Sequence, residues 1–182
     1  KFFLNIRDSI DREFFMKGYY ENEQIKLLSK KIREYSINFF IDIGSNIGIY
    51  SILMANQFSN LEIHAFDPHK DAFVRLRNNI NLNKLSNKVK IYHYALSNKT
   101  GTSFLETKNR FKISQSGGAK ISSKGDTKIR NEVGDSLLKI KNEKIAIKID
   151  TEGHELFVLH GIINLLSNNK IFLQIEIFPE NV

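Results

Sequence analysis

Three side chains that can exchange protons lie within five residues, in the stretch Asp150-Thr151-Glu152-Gly153-His154. Histidine changes charge near neutral pH, so His154 is our candidate base for removing a proton from a hydroxyl group. Asp150 is the alternative base because it ends an apolar strand, and Glu152 would orient the base or replace it. A helix beginning here would explain Thr151 and Glu152 as cap and dipole partners, but it would not explain His154.

A turn with the sequence DIGSNIG follows an earlier apolar strand, at residues 42–48. We expect Gly44 to allow the sharp turn and the approach of a ligand to bare backbone, and Gly48 to let the next helix pack against the sheet. A dinucleotide site needs glycine where Asn46 stands, but asparagine tolerates positive φ and fits the acid-x-Gly-x-Gly-x-Gly loop of methyltransferases. The carboxylate of Asp42 would bind the ammonium group of an amino-acid-bearing cofactor, or would accept only N–H groups of the turn.

A further acid, Asp67, follows the next apolar strand, about 20 residues after the glycine turn. Its two oxygens could accept hydrogen bonds from both hydroxyl groups of a ribose. Because Pro68 is also typical of a helix start, Asp67 could instead be a helix cap. Together with the glycine turn, this acid predicts a site for a nucleoside-containing cofactor.

Alternating strand and helix patterns position these residues. Apolar runs predict strands at 39–43, 61–66, 88–96, 144–150 and 171–178. Helical spacing predicts helices at 22–35, 47–57, 70–82 and 154–167. This alternation predicts an α/β fold with a Rossmann-like, doubly wound and mostly parallel sheet. Ligands bind beyond the carboxyl ends of such strands, so we expect the site at residues 42–48, 67–69, 94–97, 150–154 and 176–178.

Lys148 lies within an apolar strand and shares its face with Asp150. On the last predicted strand Gln174 and Glu176 share a face in the same way, and these two strands are usually neighbours in such a fold. We therefore expect a Lys148–Glu176 ion pair within ~4 Å, which would leave Asp150 free. A divalent metal held by Asp150, Glu152 and Glu176 is not supported by a compact ligand motif, and we expect no metal.

Length and composition define the rest of the molecule. We interpret residues 1–182 as one domain, with a helical lead-in at 1–36 and a polar, Gly- and Lys-rich lid at 98–135. No apolar run approaches the ~20 residues of a membrane span. The chain lacks cysteine, which excludes disulfides, thiolate metal sites and a thiol nucleophile and fits a cytoplasmic location. Because residue 1 is lysine, we expect the reading frame to begin upstream.

The net charge of +7 has two interpretations. It reflects either a solvated basic surface or attraction of a polyanionic acceptor, such as a phosphorylated or nucleotide-linked compound. Because the basic residues are spread along the chain, we do not expect nucleic acid as a partner.

The chain resembles the FkbM family of S-adenosylmethionine-dependent methyltransferases over nearly all of residues 18–181. The most specific segment is IKIDTEGHELFVLHGI at 147–162. The others are FFIDIGSNIGIYS at 39–51, HAFDPHKDAFVRLRNNINLN at 64–83, YALSNKTG at 94–101 and QIEIFPEN at 174–181. The resemblance implies a class I methyltransferase fold. The family usually has Glu-Pro where this chain has Asp67-Pro68, and we expect the usual final antiparallel strands to lie beyond this chain.

The resemblance also implies S-adenosylmethionine as cofactor and methyl transfer to a hydroxyl group of a small molecule or glycan, with a surface-polysaccharide sugar as the leading candidate. The residues that would bind the cofactor are Asp42, Gly44, Ser45, Asn46, Gly48, Asp67, Pro68, His69, Ala95 and Leu96. One alternative is a nucleic-acid methyltransferase, although the strand end reads Asp-Thr-Glu-Gly rather than Asn-Pro-Pro-aromatic. The other is a non-catalytic cofactor-binding scaffold. The oligomeric state stays open.

Overall fold

The structure is a computed structural model that describes residues 1–107 and 118–177. The helices are α1 (Ser9–Lys17), α2 (Asn22–Tyr35), α3 (Ile49–Gln57), α4 (Lys70–Leu82), α5 (Gly134–Leu137), α6 (Glu155–Gly161) and α7 (Ile163–Ser167). The strands are β1 (Phe39–Ile43), β2 (Glu62–Phe66), β3 (Val89–Tyr92), β4 (Ala95–Leu96), β5 (Gly101–Glu106), β6 (Lys120–Ile121), β7 (Thr127–Glu132), β8 (Lys144–Ile149) and β9 (Lys170–Ile175). Across these two described stretches, every helix is too short or too polar to cross a membrane.

The central sheet has five strands in the order β3-β2-β1-β8-β9, and every neighbouring pair is parallel. The chain runs from β1 outward to β3 and then returns to the other side of β1 with β8. The strand order therefore reverses between β1 and β8, where Ile43 lies opposite Ile149. This arrangement confirms the predicted Rossmann-like sheet and places the turn after β1 beside the segment after β8.

The core has one layer on each face of this sheet. On one face Leu28 of α2, Ile52 of α3 and Leu76 of α4 pack with Ala146 of β8. On the other face Ile145, Ile147 and Ile149 pack against helices α6 and α7. Because successive strand residues point to opposite faces, the apolar run of β8 fills both layers, and each buried aliphatic side chain contributes roughly 1.5–3 kcal/mol.

The segment from residue 88 to residue 135 differs from the prediction. The expected strand 88–96 is interrupted, and its second part, β4, joins another sheet with the order β4-β7-β5-β6. The segment 98–135, predicted to be a polar lid, contains the three strands β5, β6 and β7 and the start of α5 in its described part. Residues 108–117 lie outside the described residues. These short strands form because Leu105 and Ile129 bury themselves against Ala95.

Two further elements have different bounds from those predicted. The helix expected at 154–167 is divided into α6 and α7 near Ile162. The helical lead-in at residues 1–36 consists of α1 and α2. An ion-paired cluster attaches α1 to α4, because Arg75 contacts Asp8 at 3.1 Å and also contacts the fully buried Asp11. The N-terminal helix is thereby held beside the carboxyl edge of the central sheet.

Candidate functional site

A cavity of about 390 Å³ lies at the carboxyl edge of the central sheet, where the strand order reverses. Most of the residues predicted for the site line it, namely Gly44, Asn46, Asp67, Pro68, His69, Ala95, Leu96, Asp150, Glu152 and His154. The cavity is within the usual size range of small-molecule sites, roughly 300–1,000 Å³. Residues far apart in the sequence therefore meet at one concave surface.

Three residues predicted to bind the cofactor lie behind this surface instead. Asp42 is fully buried and accepts a hydrogen bond from Ser51 Oγ at 2.6 Å. Ser45 donates its hydroxyl proton to the carbonyl oxygen of Phe66 at 3.2 Å. Gly48 precedes α3, and a Cβ there would lie 2.5 Å from a methyl group of Leu76 on α4 rather than against the sheet. These three residues support the turn and do not line the cavity.

The segment that follows β8 requires glycine at position 44. Its φ is +81°, and a Cβ at this position would lie 1.8 Å from the carbonyl oxygen of Asp150. Gly44 lines the cavity, and the approach of a ligand to its bare backbone stays a prediction. Asn46 has a positive φ of 49°, as its place in the loop motif requires.

Asp67 joins the glycine turn to the start of α4. Its Oδ2 accepts from the backbone N–H of Asn46 at 2.7 Å, and its Oδ1 accepts from that of His69 at 2.8 Å. Burial raises the pKa of Asp67 to about 7, although these two hydrogen bonds act in the opposite direction. The side chain that caps α4 is that of His69, which accepts from Ala72 N at 3.3 Å. Asp67 is thus not the helix cap, and its carboxylate retains acceptor capacity toward the cavity.

His154 is the N-cap residue, immediately before α6, in the segment that follows β8. Its Nε2 lies 3.0 Å from Ser97 Oγ, and its ring stacks on Phe157 with the centroids 4.7 Å apart. Burial lowers the pKa of His154, so the imidazole is neutral at pH 7 and can accept a proton. Glu152, which was expected to orient the base or replace it, accepts a hydrogen bond from the backbone N–H of Gly118 at 3.1 Å. The polar side chain in contact with His154 is that of Ser97.

The prediction of an ion pair between Lys148 and Glu176 is wrong. Lys148 Nζ lies 2.7 Å from Asp150 Oδ2, on its own strand. The strand neighbours are as predicted, since Lys148 lies opposite Gln174, but the long lysine side chain reaches the carboxylate two residues along the same face. Glu176 instead hydrogen-bonds to Asp150, and burial together with the charge of Asp150 raises the pKa of Glu176 to about 7.

Four residues near the N-terminus also line the cavity and were not predicted, namely Ser9, Ile10, Tyr20 and Glu21. Glu21 accepts a hydrogen bond from the hydroxyl group of Tyr50 at 2.5 Å. Carboxylate oxygens of Glu21, Asp150 and Glu176 all lie within 4.8 Å of one another, a spacing that could hold a cation. No local pattern connects Glu21 with the strand ends more than 100 residues away.

The charged residues lining the described part of the cavity are acids. They are Glu21, Asp67, Asp150, Glu152 and Glu176, and neither lysine nor arginine is among the described lining residues. Burial lowers the pKa of both lining histidines, His69 and His154, so they add no positive charge at pH 7. Although the pKa values of Asp67 and Glu176 are raised to about 7, every charge that these described lining residues carry at pH 7 is negative. The cavity therefore favours cationic ligands over phosphate groups, despite the basic charge of the whole chain.

Comparison with known proteins places this geometry in context. Residues 42–181 match the model of the methyltransferase FkbM domain. The hexuronic acid methyltransferase AglP of Haloferax volcanii is 31% identical over 159 residues, which is 86% of this chain and 62% of AglP. The chain thus spans less than two thirds of that relative. A structure from Staphylococcus aureus, described as a caffeoyl-CoA O-methyltransferase, shares the fold, with a TM-score of 0.53 at 12% identity. The match covers 91% of this chain and 66% of the Staphylococcus aureus chain.

Proposed function

The chain belongs to the FkbM methyltransferase family, and we propose that it transfers a methyl group from S-adenosylmethionine to a hydroxyl group of a sugar. The observation that carries the proposal is the cavity at the reversal of strand order. There the glycine turn, Asp67 and the segment 150–154 meet. A candidate cofactor site and a candidate base thus share one cavity.

The polar atoms of the cavity fit S-adenosylmethionine. Asn46 Oδ1 and His69 Nε2 are buried and have no hydrogen-bond partner within the described residues. The Nδ1 atom of His69 accepts a hydrogen bond, so its Nε2 carries the proton and is a donor. An unpaired buried polar group costs about 1–3 kcal/mol, which a polar ligand would recover.

The remaining lining supports the same cofactor. Asp67 would accept hydrogen bonds from ribose hydroxyl groups, and Phe66 and Leu96 offer apolar surface for an adenine ring. The acids Asp150 and Glu21 would stabilise the positive charge of the methyl donor. Asp42 would contribute to the same electrostatic stabilisation from behind the turn. Its carboxylate is poorly solvated, because it is buried and its Oδ1 has no hydrogen-bond partner among the described residues.

S-adenosylmethionine supplies, when bound, a methyl group activated by an adjacent sulfonium centre. The protein must align the acceptor hydroxyl with that group, an effect of up to about 7–11 kcal/mol on the barrier. It must also remove the hydroxyl proton, for which a placed base contributes about 10²–10⁴-fold. We assign this role to His154, because the carboxylate of Asp150 is engaged in an ion pair with Lys148, whereas the lowered pKa of His154 keeps its imidazole neutral at pH 7.

A sugar is the acceptor that the comparisons favour. The relative AglP is named a hexuronic acid methyltransferase. In this chain the acceptor would lie on the side of the cavity formed by Leu105, Gly118 and Ile121, in the second sheet and its flanking turn. The acid lining favours a neutral sugar over an anionic one, so a phosphorylated or nucleotide-linked acceptor, and equally a free hexuronate, gains no support from it. The same acids argue against nucleic acid, and a base beside the cofactor site argues against a non-catalytic scaffold.

A transfer assay tests this proposal. The protein is incubated with methyl-labelled S-adenosylmethionine and, separately, with neutral sugars, hexuronic acids, RNA and DNA. We expect an alkali-stable label in a sugar, as a methyl ether requires. Label in nucleic acid alone, or binding of the cofactor without transfer to any acceptor, would overturn the proposal in favour of the corresponding alternative.

A further inference from the structure

The contact between Ser97 and His154 is built into the fold. Ser97 follows β4 and is 2% exposed, and its backbone N–H donates to the carbonyl oxygen of Glu132 on β7 at 2.9 Å. Its Oγ atom lies 3.0 Å from His154 Nε2. A buried hydroxyl fixed by a neighbouring strand thus contacts the ring of the proposed base.

The other end of α6 is also fixed against Ser97. A Cβ on Gly161, the last residue of α6, would lie 2.1 Å from the carbonyl oxygen of Ser97. Glycine at this position therefore lets the helix end pack directly on the backbone of Ser97. Since His154 stands at the start of the same helix and stacks on Phe157, both the position and the plane of its ring are set.

The direction of the hydrogen bond follows from the neighbours of Ser97. A hydroxyl group has one proton to donate and two lone pairs that accept. Ser97 Oγ donates to Asn98 Oδ1 at 3.4 Å, and an amide oxygen can only accept. With the Oγ proton directed to Asn98, the lone pairs of Oγ face His154 Nε2 at 3.0 Å, and a proton on Nε2 completes this contact, whose direction depends on the tautomer of the ring. In a neutral imidazole this leaves Nδ1 unprotonated.

We propose that Ser97 is a positioning residue that holds His154 as the tautomer protonated on Nε2, so that Nδ1 takes the proton of the acceptor hydroxyl. Within the described residues Nδ1 has no hydrogen-bond partner that would compete for this role. The use of Nδ1 rests on the proposed function, whereas the tautomer does not.

The proton transfer balances simply. The hydroxyl proton moves to Nδ1, and the imidazole becomes an imidazolium with a proton on each nitrogen. The lone pair left on the acceptor oxygen forms the new bond to the methyl carbon, and the electron pair of the broken carbon–sulfur bond stays on sulfur. Nε2 keeps its hydrogen bond to Ser97 throughout, so the ring does not have to rotate.

Nitrogen NMR of ¹⁵N-histidine-labelled protein tests the tautomer without any acceptor. We expect a pyridine-type signal for Nδ1 and a pyrrole-type signal for Nε2 of His154 at a pH above the usual histidine pKa. Loss of these signals in His154→Gln identifies them among the five histidines. A pyrrole-type Nδ1 in the wild-type protein would overturn the proposal.

Variants of Ser97 test the positioning role. Ser97→Ala should give a mixture of tautomers and lower kcat at least about tenfold at unchanged affinity for S-adenosylmethionine. Ser97→Thr keeps the hydroxyl group and should retain the wild-type spectrum, and Ser86→Ala, at an exposed serine, is the control. An unchanged tautomer in Ser97→Ala would overturn the proposal. Absence of methyl transfer by the wild-type protein would instead refute the proposed function and leave the NMR result intact.

Discussion

The Nζ atom of Lys148 lies 2.7 Å from Oδ2 of Asp150, the residue that directly follows β8. Burial lowers the pKa of Lys148, but the charges of Asp150 and Asp42 outweigh this effect and raise it. Lys148 therefore remains charged beneath the cavity. The pair holds Asp150 in place, and the neutral imidazole of His154 is the proposed base nearby.

Replacement of Lys148 should destabilise the protein strongly. Lys148→Met removes the counter-charge of Asp150 and of the fully buried Asp42, so we expect the free energy of unfolding to fall by about 3–5 kcal/mol. Urea unfolding measures this change. Lys144→Met, at the exposed first residue of the same strand, is the matched control and should change stability by less than about 0.5 kcal/mol. Equal effects of the two substitutions would contradict the account.

Asp67 should make stability depend on pH. Burial raises its pKa to about 7 in the folded state, whereas an unfolded aspartate titrates near ~3.9. Between these two pH values the folded state binds more protons than the unfolded state. The contribution of Asp67 to the free energy of unfolding is therefore full below pH ~4 and falls by up to about 4 kcal/mol as the pH rises to about 7. Glu176 acts in the same window.

Urea unfolding of Asp67→Asn across this pH range isolates the contribution of Asp67. The amide does not titrate, so the fall in stability between pH ~4 and ~7 should be smaller than in the wild-type protein. Asp71→Asn, at an exposed position in the first turn of α4, should keep the wild-type slope. Parallel profiles for the wild-type protein and Asp67→Asn would show that Asp67 is ionised normally in the folded state.

His154 should matter for turnover and little for binding of the methyl donor. His154→Ala removes the proposed base, so kcat should fall by about 10²-fold or more at nearly unchanged donor affinity. Because burial lowers the pKa of His154, wild-type activity should persist below pH ~6.5 before it declines. His160→Ala, exposed on the same helix, is the control. Near-normal turnover of His154→Ala would transfer the role to Asp150.

The acid-lined cavity should discriminate among sugars. Kinetic assays should give a kcat/KM at least about tenfold higher for a neutral sugar than for its phosphorylated form, a difference on the order of 1.4 kcal/mol. The discrimination should weaken with added salt, because ions screen the repulsion. A phosphorylated sugar preferred over its neutral form would contradict control of acceptor choice by these acids.

Much of the central fold could be predicted because parallel strands are buried on both faces. Strand β1 has its predicted bounds, and β8 ends within one residue of its predicted end, since each is a continuous apolar run. Helix α4 also has its predicted bounds, with Leu76 and Ile80 on its buried face. The strand ends then determined where most cavity residues would lie.

The remaining parts of the fold and of the site depend on contacts between distant residues, which no local sequence pattern contains. The second sheet is built from short, half-exposed strands such as β5, whose residue pattern is mostly polar. Glu21 reaches the cavity through the packing of the N-terminal helices, and Ser97 reaches His154 through the close approach of Gly161. The partner of Lys148 was mispredicted because two acids lie near it, and side-chain reach rather than strand order decides between them.

Calorimetric titration with S-adenosylmethionine tests the central claim most directly. We expect the wild-type protein to bind one equivalent, and Asp67→Asn to bind more weakly by about 1.5–3 kcal/mol, roughly 10–100-fold, through loss of charge-assisted ribose contacts. Asp71→Asn should bind like the wild-type protein, and NAD should not bind, because Asn46 replaces the glycine that a pyrophosphate needs. Absence of S-adenosylmethionine binding to the folded protein, unchanged affinity in Asp67→Asn, or micromolar affinity for NAD would contradict the account.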